Sequence, residues 1–444
     1  MAKEKLETLV SEEEQPFSVY QNWSWTRLSA LYKFIDYRGA TPHKTESGIP
    51  LVTAKNVKKG YIDYSIAEFI SEEEYLKRQS RGVSQQGDIL FTTEAPMGNV
   101  AIADLKKYSA GQRVITFQKH SHLKEICNRF YYYYMLSVFF QKTLDQQKTG
   151  STVEGIKAEK LKLFPVPVPP LLEQQRIADR IENLFAKLDE AKEKAQAVVD
   201  GYEDRKAAIL HQAFSGELTA EWRKRTNVDR KSWQQVLVKD VCCDIKVGIV
   251  IKPSQYYTDR EKGTPAFRSA NVREFHIDDF DWVYLNDEGM RENRRSIVHV
   301  GDVLVVRSGN PGTACVVEDK YDGYNAIDIL IAVPDRSRIT SEFLCAFTNS
   351  PLGRKLVAEN KRGMALAHFN VSGYSTLSLE LPSIPEQTKI IQTLYTMLGR
   401  QEKVKNAAED VISQIDTMKK AILARAFRGE LGTNDPSEPP ADIS

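Results

Sequence analysis

The chain has 444 residues, 41% of them hydrophobic, and 61 Lys and Arg against 60 Asp and Glu leave a formal net charge of +1. That length exceeds what one hydrophobic core usually serves, so more than one domain is expected, and the near-zero charge excludes an overall basic protein. Five cysteines, Cys127, Cys242, Cys243, Cys315 and Cys345, form no CxxC pair, which points away from a disulfide framework or paired-cysteine zinc site and toward a reduced, cytoplasmic chain.

The opening MAKEKLETLVSEEEQ is charged and has no apolar centre, so residues 1–22 read as a solvated acidic tail and not as a signal peptide. Residues 23–168 are expected to form a first globular domain, in which short alternating strands with Gly and Pro turns precede a helical stretch at 128–147. Between residues 17 and 165 there are 21 Lys and Arg against 14 Asp and Glu, a local positive surface that the total conceals. The apolar run YYYYMLSVFF at 131–140 is too short to span a bilayer. Its tyrosines are expected to pack a helix onto the core in preference to stacking on bases.

Residues 169–218 read as a long helix. PVPVPPLLEQ places prolines where a helix begins and Gly216 sits where it stops. A second domain is expected over 219–381, with a helical stretch at 341–359, and a second long helix over 382–432. That helix opens at LPSIPEQ, where Ser383 and Glu386 fit a capping box, and stops at Gly429. Residues 433–444 read as a disordered tail.

The two helices are copies. Setting Glu173 against Glu386 without a gap gives 15 identities in 46 positions, ending in AILHQAFSGELT and AILARAFRGELG. Both carry an apolar seam with alternating spacings of four and three, the coiled-coil period. The first seam runs Ile177, Ile181, Leu184, Leu188, Ala191, Ala195, Val198, Tyr202; the second runs Ile390, Leu394, Met397, Val404, Ala408, Val411, Ile415, Met418, Ile422. Arg205 and Gln401 interrupt them. A helix this long cannot hide its seam alone, so an antiparallel pair within one chain is expected. The domains repeat more faintly: GIPLVTAKNVKKGYID at 48–63 matches GTPAFRSANVREFHID at 263–278, and GDILFTTEAPMGNVAIAD at 87–104 matches GDVLVVRSGNPGTACVVED at 301–319. The fold class is therefore α+β, two mixed α/β domains alternating with two long paired helices about a pseudo-two-fold.

No GxxxxGK[ST], no Asn/Asp-Pro-Pro-aromatic motif and no HExxH occurs, and His120 with His122 is the one close histidine pair. An empty catalytic inventory in a chain of this size points to a binder or organiser.

The duplicated PPLLEQQRIADRIE…AILHQAFSGELT and PSIPEQTKII…AILARAFRGELG, set between two variable domains, closely resemble the specificity subunit of type I restriction-modification systems. The resemblance covers nearly the whole chain beyond residue 20. It implies two target-recognition domains that read the halves of a bipartite, asymmetric double-stranded DNA site, with the helices as spacer. It further implies two methyltransferase subunits using S-adenosylmethionine, and restriction subunits using ATP and Mg, while this chain binds no cofactor or metal, catalyses nothing and reaches no membrane.

Base edges are read by forked donors and amides on loops. The loops supply Lys55, Asn56, Lys58, Lys59, Arg81, Thr93, Glu94 and Met97 in the first domain. In the second they supply Arg268, Ser269, Asn271, Arg273, Arg307, Ser308 and Asn310. Arg294, Arg295, Lys361 and Arg362 look more like phosphate contacts. Asn also stabilises turns, which competes with base reading at Asn56 and Asn271. Two other readings compete for the whole chain: a coiled-coil scaffold whose variable domains bind proteins, and a single-chain methyltransferase or nuclease, against which the absent motifs speak.

Overall fold

The computed structural model describes residues 10–150, 154–362 and 369–442, with side chains in the helix ending at Arg362 described through Asn360. In chain order the strands of the first half are β1 Ser24–Arg27, β2 Tyr32–Asp36, β3 Lys44–Thr45, β4 Ile49–Val52, β5 Phe69–Ile70, β6 Ile89–Thr92, β7 Val100–Ile102, β8 Ser109–Ala110, β9 Val114–Lys119 and β10 Pro165–Val168. The principal helices there are α1 Asn128–Leu136 and α2 Val138–Gln147, split at Ser137, whose hydroxyl caps α2. The long helices are α3 Leu171–Asp200 with α4 Tyr202–Ser215, parted at Gly201, and α7 Ile384–Phe427. Between them lie β11 Gln234–Leu237, β12 Cys242–Val247, β13 Tyr257–Thr258, β14 Thr264–Phe267, β15 Val283–Leu285, β16 Val303–Val306, β17 Ala314–Val316, β18 Asn325–Ala326, β19 Ile329–Pro334 and β20 Ser378–Leu381, with helices α5 Ser341–Asn349 and α6 Pro351–Arg362.

The chain divides into two compact units, of which only the second is contiguous. Unit 1 is residues 1–195 with 410–444; unit 2 is residues 196–409. Each therefore holds one globular domain, the opening half of one long helix and the closing half of the other.

Unit 1 has sheets ordered β2-β9-β6-β7, β3-β5-β4-β8 and β1-β10; unit 2 has β12-β19-β16-β17, β13-β15-β14-β18 and β11-β20. The topologies are identical, down to the single parallel pairings β4–β8 and β14–β18. The alternation of side chains explains the layering. In β6 and β9, Ile89, Phe91, Ile115 and Phe117 face α1, while Leu90 and Val114 face Val52 and Ala110 of the second sheet and Val57 of the turn after β4. In unit 2, Val303, Val305, Leu330 and Ala332 pack on Phe343 and Phe347 of α5, and Leu304, Val306 and Ile329 pack on Phe267 and Val272. Tyr131, Tyr133 and Tyr134 are buried, as their helical packing predicts.

Within each unit the helix segments pair antiparallel. In unit 1, Lys192 meets Asp416 at 3.3 Å, and Lys419 meets Asp189 at 2.5 Å. In unit 2, Arg205 Nε donates to Gln401 Oε1 at 2.8 Å. The second seam is corrected in phase. Val404, Val411 and Met418 are 49%, 42% and 46% exposed, whereas Ala408 and Ile415 are buried. The inward row includes Gln401, Lys405 and Lys419, because Lys405 lies over the Tyr202 ring and Lys419 over Phe185, covering the seam with their aliphatic stems.

Both tails pack, which corrects the solvated N-terminal and disordered C-terminal expectations for their described parts. The Phe17 ring lies 4.4 Å from Phe139 and 5.0 Å from Trp25, and Tyr20 donates its hydroxyl to Gly429 O at 2.9 Å. Glu438 pairs with Arg176 at 2.7 Å, and Asn22 donates to Asp435 O. Apolar residues within the acidic stretch supply the reason. No described helix is long and apolar enough to cross a membrane.

Candidate nucleic-acid interface

In each unit one end of the layered sheets gathers the loops. In unit 1, Thr93 N donates to Arg113 O at 3.0 Å, Ile156 N to Thr93 O at 3.0 Å, and Gly111 N to Val52 O at 2.8 Å. These bonds stitch the ends of β4, β6, β8 and β9 to the segment after α2. In unit 2 two of these bonds recur, from Phe369 N to Arg307 O at 3.2 Å and from Ile327 N to Phe267 O at 2.9 Å, while Asp328 N donates to Ile249 O at 3.0 Å. The shared bonds mark a common frame, and the side chains mounted on it differ.

On the unit 1 frame sit three arginines. Arg38 donates Nη2 to Ile156 O at 3.1 Å, and Arg81 donates Nη1 to Asp36 O and Arg38 O. Arg113, half exposed, pairs with Glu94 at 3.3 Å. Arg38 and Arg113 were not among the residues expected from the loop motifs, although YRGAT and GQRV mark both as turn-flanking cations. On the unit 2 frame Arg307 donates Nε to Phe369 O at 2.9 Å and pairs with Asp328 at 2.5 Å. Arg268 pairs with Asp281 at 2.7 Å. Each guanidinium is thus held at one edge by a carboxylate or carbonyl of the loops.

Several expected contacts turn inward instead. Asn56 and Asn271 are buried. Asn56 Oδ1 accepts from Thr53 N and Oγ1, and its Nδ2 donates to Asp63 O and Ile66 O; Asn271 accepts from Arg268 N and donates to Asp278 O and Phe280 O. With donors and acceptors spent on the turn, neither reads a base. Lys58 and Arg273 pair with Asp63 and Asp278, at 3.8 and 3.2 Å, at the same step of the repeat. Thr93 is buried with its hydroxyl on Arg113 O, and Met97 packs against the core.

Lys55, Lys59 and Asn310 are exposed on the loops, and Ser269 and Ser308 are partly buried beside Arg268 and Arg307. Arg294 and Arg295 lie on a separate exposed turn, where Arg294 donates to Arg291 O. The side chains of Lys361 and Arg362 lie outside the described residues. His120 stacks on His122 at 5.5 Å with a ring nitrogen on Ser29 O. Among the described residues no three His, Cys, Asp or Glu side chains come together to hold a metal ion.

The ends of the helices are fixed by a second duplicated constellation. Glu173 and Gln174 of the first EQ pair, and Glu386 and Gln387 of the second, are fully buried. Gln174 accepts from Cys127 N and donates to Glu125 O and Pro169 O; Gln387 accepts from Thr340 N and donates to Arg338 O and Pro382 O. Glu173 accepts from Thr433 Oγ1 at 2.7 Å, and Glu386 from Thr219 Oγ1 at 2.8 Å. Each opening glutamate thus binds the threonine that follows the other helix's GEL closing. The Ser383–Glu386 capping box does not form, since Glu386 reaches Thr219, Arg223 and Trp233 instead.

Residues 35–199 match the family model described as a type I restriction modification DNA specificity domain. The chain is 23% identical over 446 residues to the type I restriction enzyme EcoKI specificity subunit of Escherichia coli (strain K12), covering 94% of this chain and 90% of that one. It is 22% identical to the StySPI specificity subunit of Salmonella potsdam, covering 96% and 92%. Among solved structures it resembles the HsdS subunit from Thermoanaerobacter tengcongensis, with a TM-score of 0.63 and 18% identity over 94% of this chain and all of that one. It also resembles a chain from work on complex assembly and conformational transition of the type I R-M system, with a TM-score of 0.65 and 20% identity over 94% of this chain and all of that one.

Proposed function

As the chain belongs to the specificity subunits of type I restriction-modification systems, which are their non-catalytic component, we propose that each of its two units reads one half of a bipartite, asymmetric double-stranded DNA site. The domains at 23–168 and 219–381 present the reading loops, and the paired helices at 169–218 and 382–432 set the unspecified gap between the half-sites. Methyltransferase subunits carrying S-adenosylmethionine act on the site the chain selects. Restriction subunits using ATP and Mg join the same assembly, and the whole works in the cytoplasm.

One observation carries this reading: the same backbone frame, with Ile156 N on Thr93 O in one unit and Phe369 N on Arg307 O in the other, mounts different side chains. A scaffold for one repeated partner has no need to diverge at matched loops, whereas two unlike half-sites require it. Exposed Lys55 and Lys59 suit phosphate contact, while Arg113 and Arg307 carry the forked donors that suit guanine O6 and N7.

Binding of DNA by the chain assembled with its methyltransferase subunits, measured against salt, tests the assignment. Specific binding is expected to weaken steeply, with a log–log slope of about 0.9 per phosphate contacted. Salt-independent binding, or none, supports the protein scaffold instead.

A further inference from the structure

Resting on the DNA-reading assignment above, we propose that the loop from Ile249 to Pro253 is a specificity-determining element of unit 2, whose Val250 and Ile251 take the 5-methyl group of thymine in the major groove. Val250 is 51% exposed and Ile251 76%, the highest exposure among the large hydrophobic residues described. Their loop is not loose. Gly248 N donates to Ile329 O at 2.8 Å, Ile249 N to Ala326 O at 2.8 Å, and Asp328 N returns to Ile249 O at 3.0 Å. Beyond the tip, Lys252 takes a left-handed conformation with φ of 42° and starts the turn at Pro253–Tyr256. Two aliphatic side chains are therefore held out into water between two fixed points.

The place of this loop argues for its partner. Asp328, which holds Ile249, also holds the Arg307 guanidinium at 2.5 Å, so the apolar tip and the forked donor belong to one cluster. At a major-groove edge thymine alone among the four bases presents an apolar group, its methyl. The repeat supplies the control. β2 and β12 occupy the same register, with Phe34 opposite Phe117 and Ile245 opposite Ala332. Each continues through five residues to a proline, Arg38-Gly39-Ala40-Thr41-Pro42 in unit 1 and Ile249-Val250-Ile251-Lys252-Pro253 in unit 2. The loops are equal in length but anchored differently, with Arg38 N on its own strand's Asp36 Oδ1 and Ile249 N on Ala326 O, and their side-chain chemistry differs as well. Unit 1 spends the position on Arg38 and two small residues; unit 2 spends it on two bulky aliphatics.

The test uses the full-length chain with its methyltransferase subunits, and duplexes carrying the motif that the complex methylates. Each thymine is replaced singly by deoxyuridine, which removes the methyl and keeps every hydrogen bond. One thymine in one half-site is expected to lose about three- to tenfold in affinity on replacement, and the variant V250A/I251A is expected to bind both duplexes alike. Thymines of the other half-site should respond identically in parent and variant. The proposal is overturned if no thymine in either half-site is sensitive, or if V250A/I251A keeps the sensitivity. If the double variant folds poorly, I251A alone, at the 76% exposed position, carries the same comparison. Failure of the parent complex to prefer its motif over unrelated DNA is a different result, and it overturns the DNA-reading assignment itself.

Discussion

Arg223 Nη1 donates to Glu386 Oε1 at 2.6 Å, with 10% of the arginine side chain exposed and none of the glutamate. Thr219 Oγ1 shares the same oxygen, and Trp233 Nε1 binds the other. A carboxylate so enclosed is stable only with its partners present. Arg223→Ala is expected to cost about 3 to 5 kcal/mol, since it strands a buried charge. Trp233→Phe should cost about 1.5 to 3 kcal/mol for one lost hydrogen bond to a charged group, before any packing change. Denaturant unfolding of the full chain checks the order: equal effects would mean that the pair does not fix the helix opening.

Asn56 and Asn271 separate folding from recognition. Alanine at either removes three bonds to loop backbone, and at Asn56 a fourth to the Thr53 hydroxyl, and is expected to lower stability by about 2 to 3 kcal/mol. The methylated motif should stay unchanged, because both side chains are buried and bonded within their own loops. A changed base at one half-site, with stability intact, would restore them as readers.

The corrected seam makes a matched pair of substitutions on one helix face and its flank. Ile415→Ala, at 2% exposure, is expected to cost about 2 to 4 kcal/mol. Val411→Ala, at 42% exposure, should stay within about 0.5 kcal/mol. Similar losses at both positions would return the seam to its expected phase.

Asp88 and Asp302 hold the same place in the duplicated Gly-Asp step, accepting Gln85 N at 2.8 Å and His299 N at 2.9 Å. Burial pushes the Asp88 carboxyl up to about 6 and raises Asp302 as well. Since the folded value lies above the unfolded one, the contribution is fully present below about pH 4 and is lost as pH rises through 6. Asp88→Asn keeps an acceptor for the backbone bond and removes the charge. Its stability is expected to lack the decline of roughly 1 to 2 kcal/mol that the parent shows between pH 4 and 6. Parallel pH profiles for the two proteins would contradict the assignment.

Heptad spacing, proline openings and glycine closings made the long helices legible from sequence, because those signals are local: Gly216 and Gly429 do take φ of 84° and 75°. The phase of the second seam was not legible. Gln401, Lys405 and Lys419 count as polar in any pattern, yet they cover the seam through Arg205, Tyr202 and Phe185. The EQ pairs carried a fold signal whose partner lay far along the chain, with Glu173 bound to Thr433. At the loops, residue type singled out Arg307 and did not mark Arg38 and Arg113, which the fold seats on the corresponding frame of unit 1. Which amide turns inward depends on the backbone carbonyls around it, and Asp63 O and Ile66 O become neighbours of Asn56 only in the folded turn.

The central claim, that two units read two half-sites independently, is tested most directly by mapping the methylated motif after exchanging residues 24–168 for the corresponding domain of a relative. The account predicts a new sequence in one half-site, with the other half-site and the gap between them unchanged. A motif altered in both halves, or in neither, would contradict it.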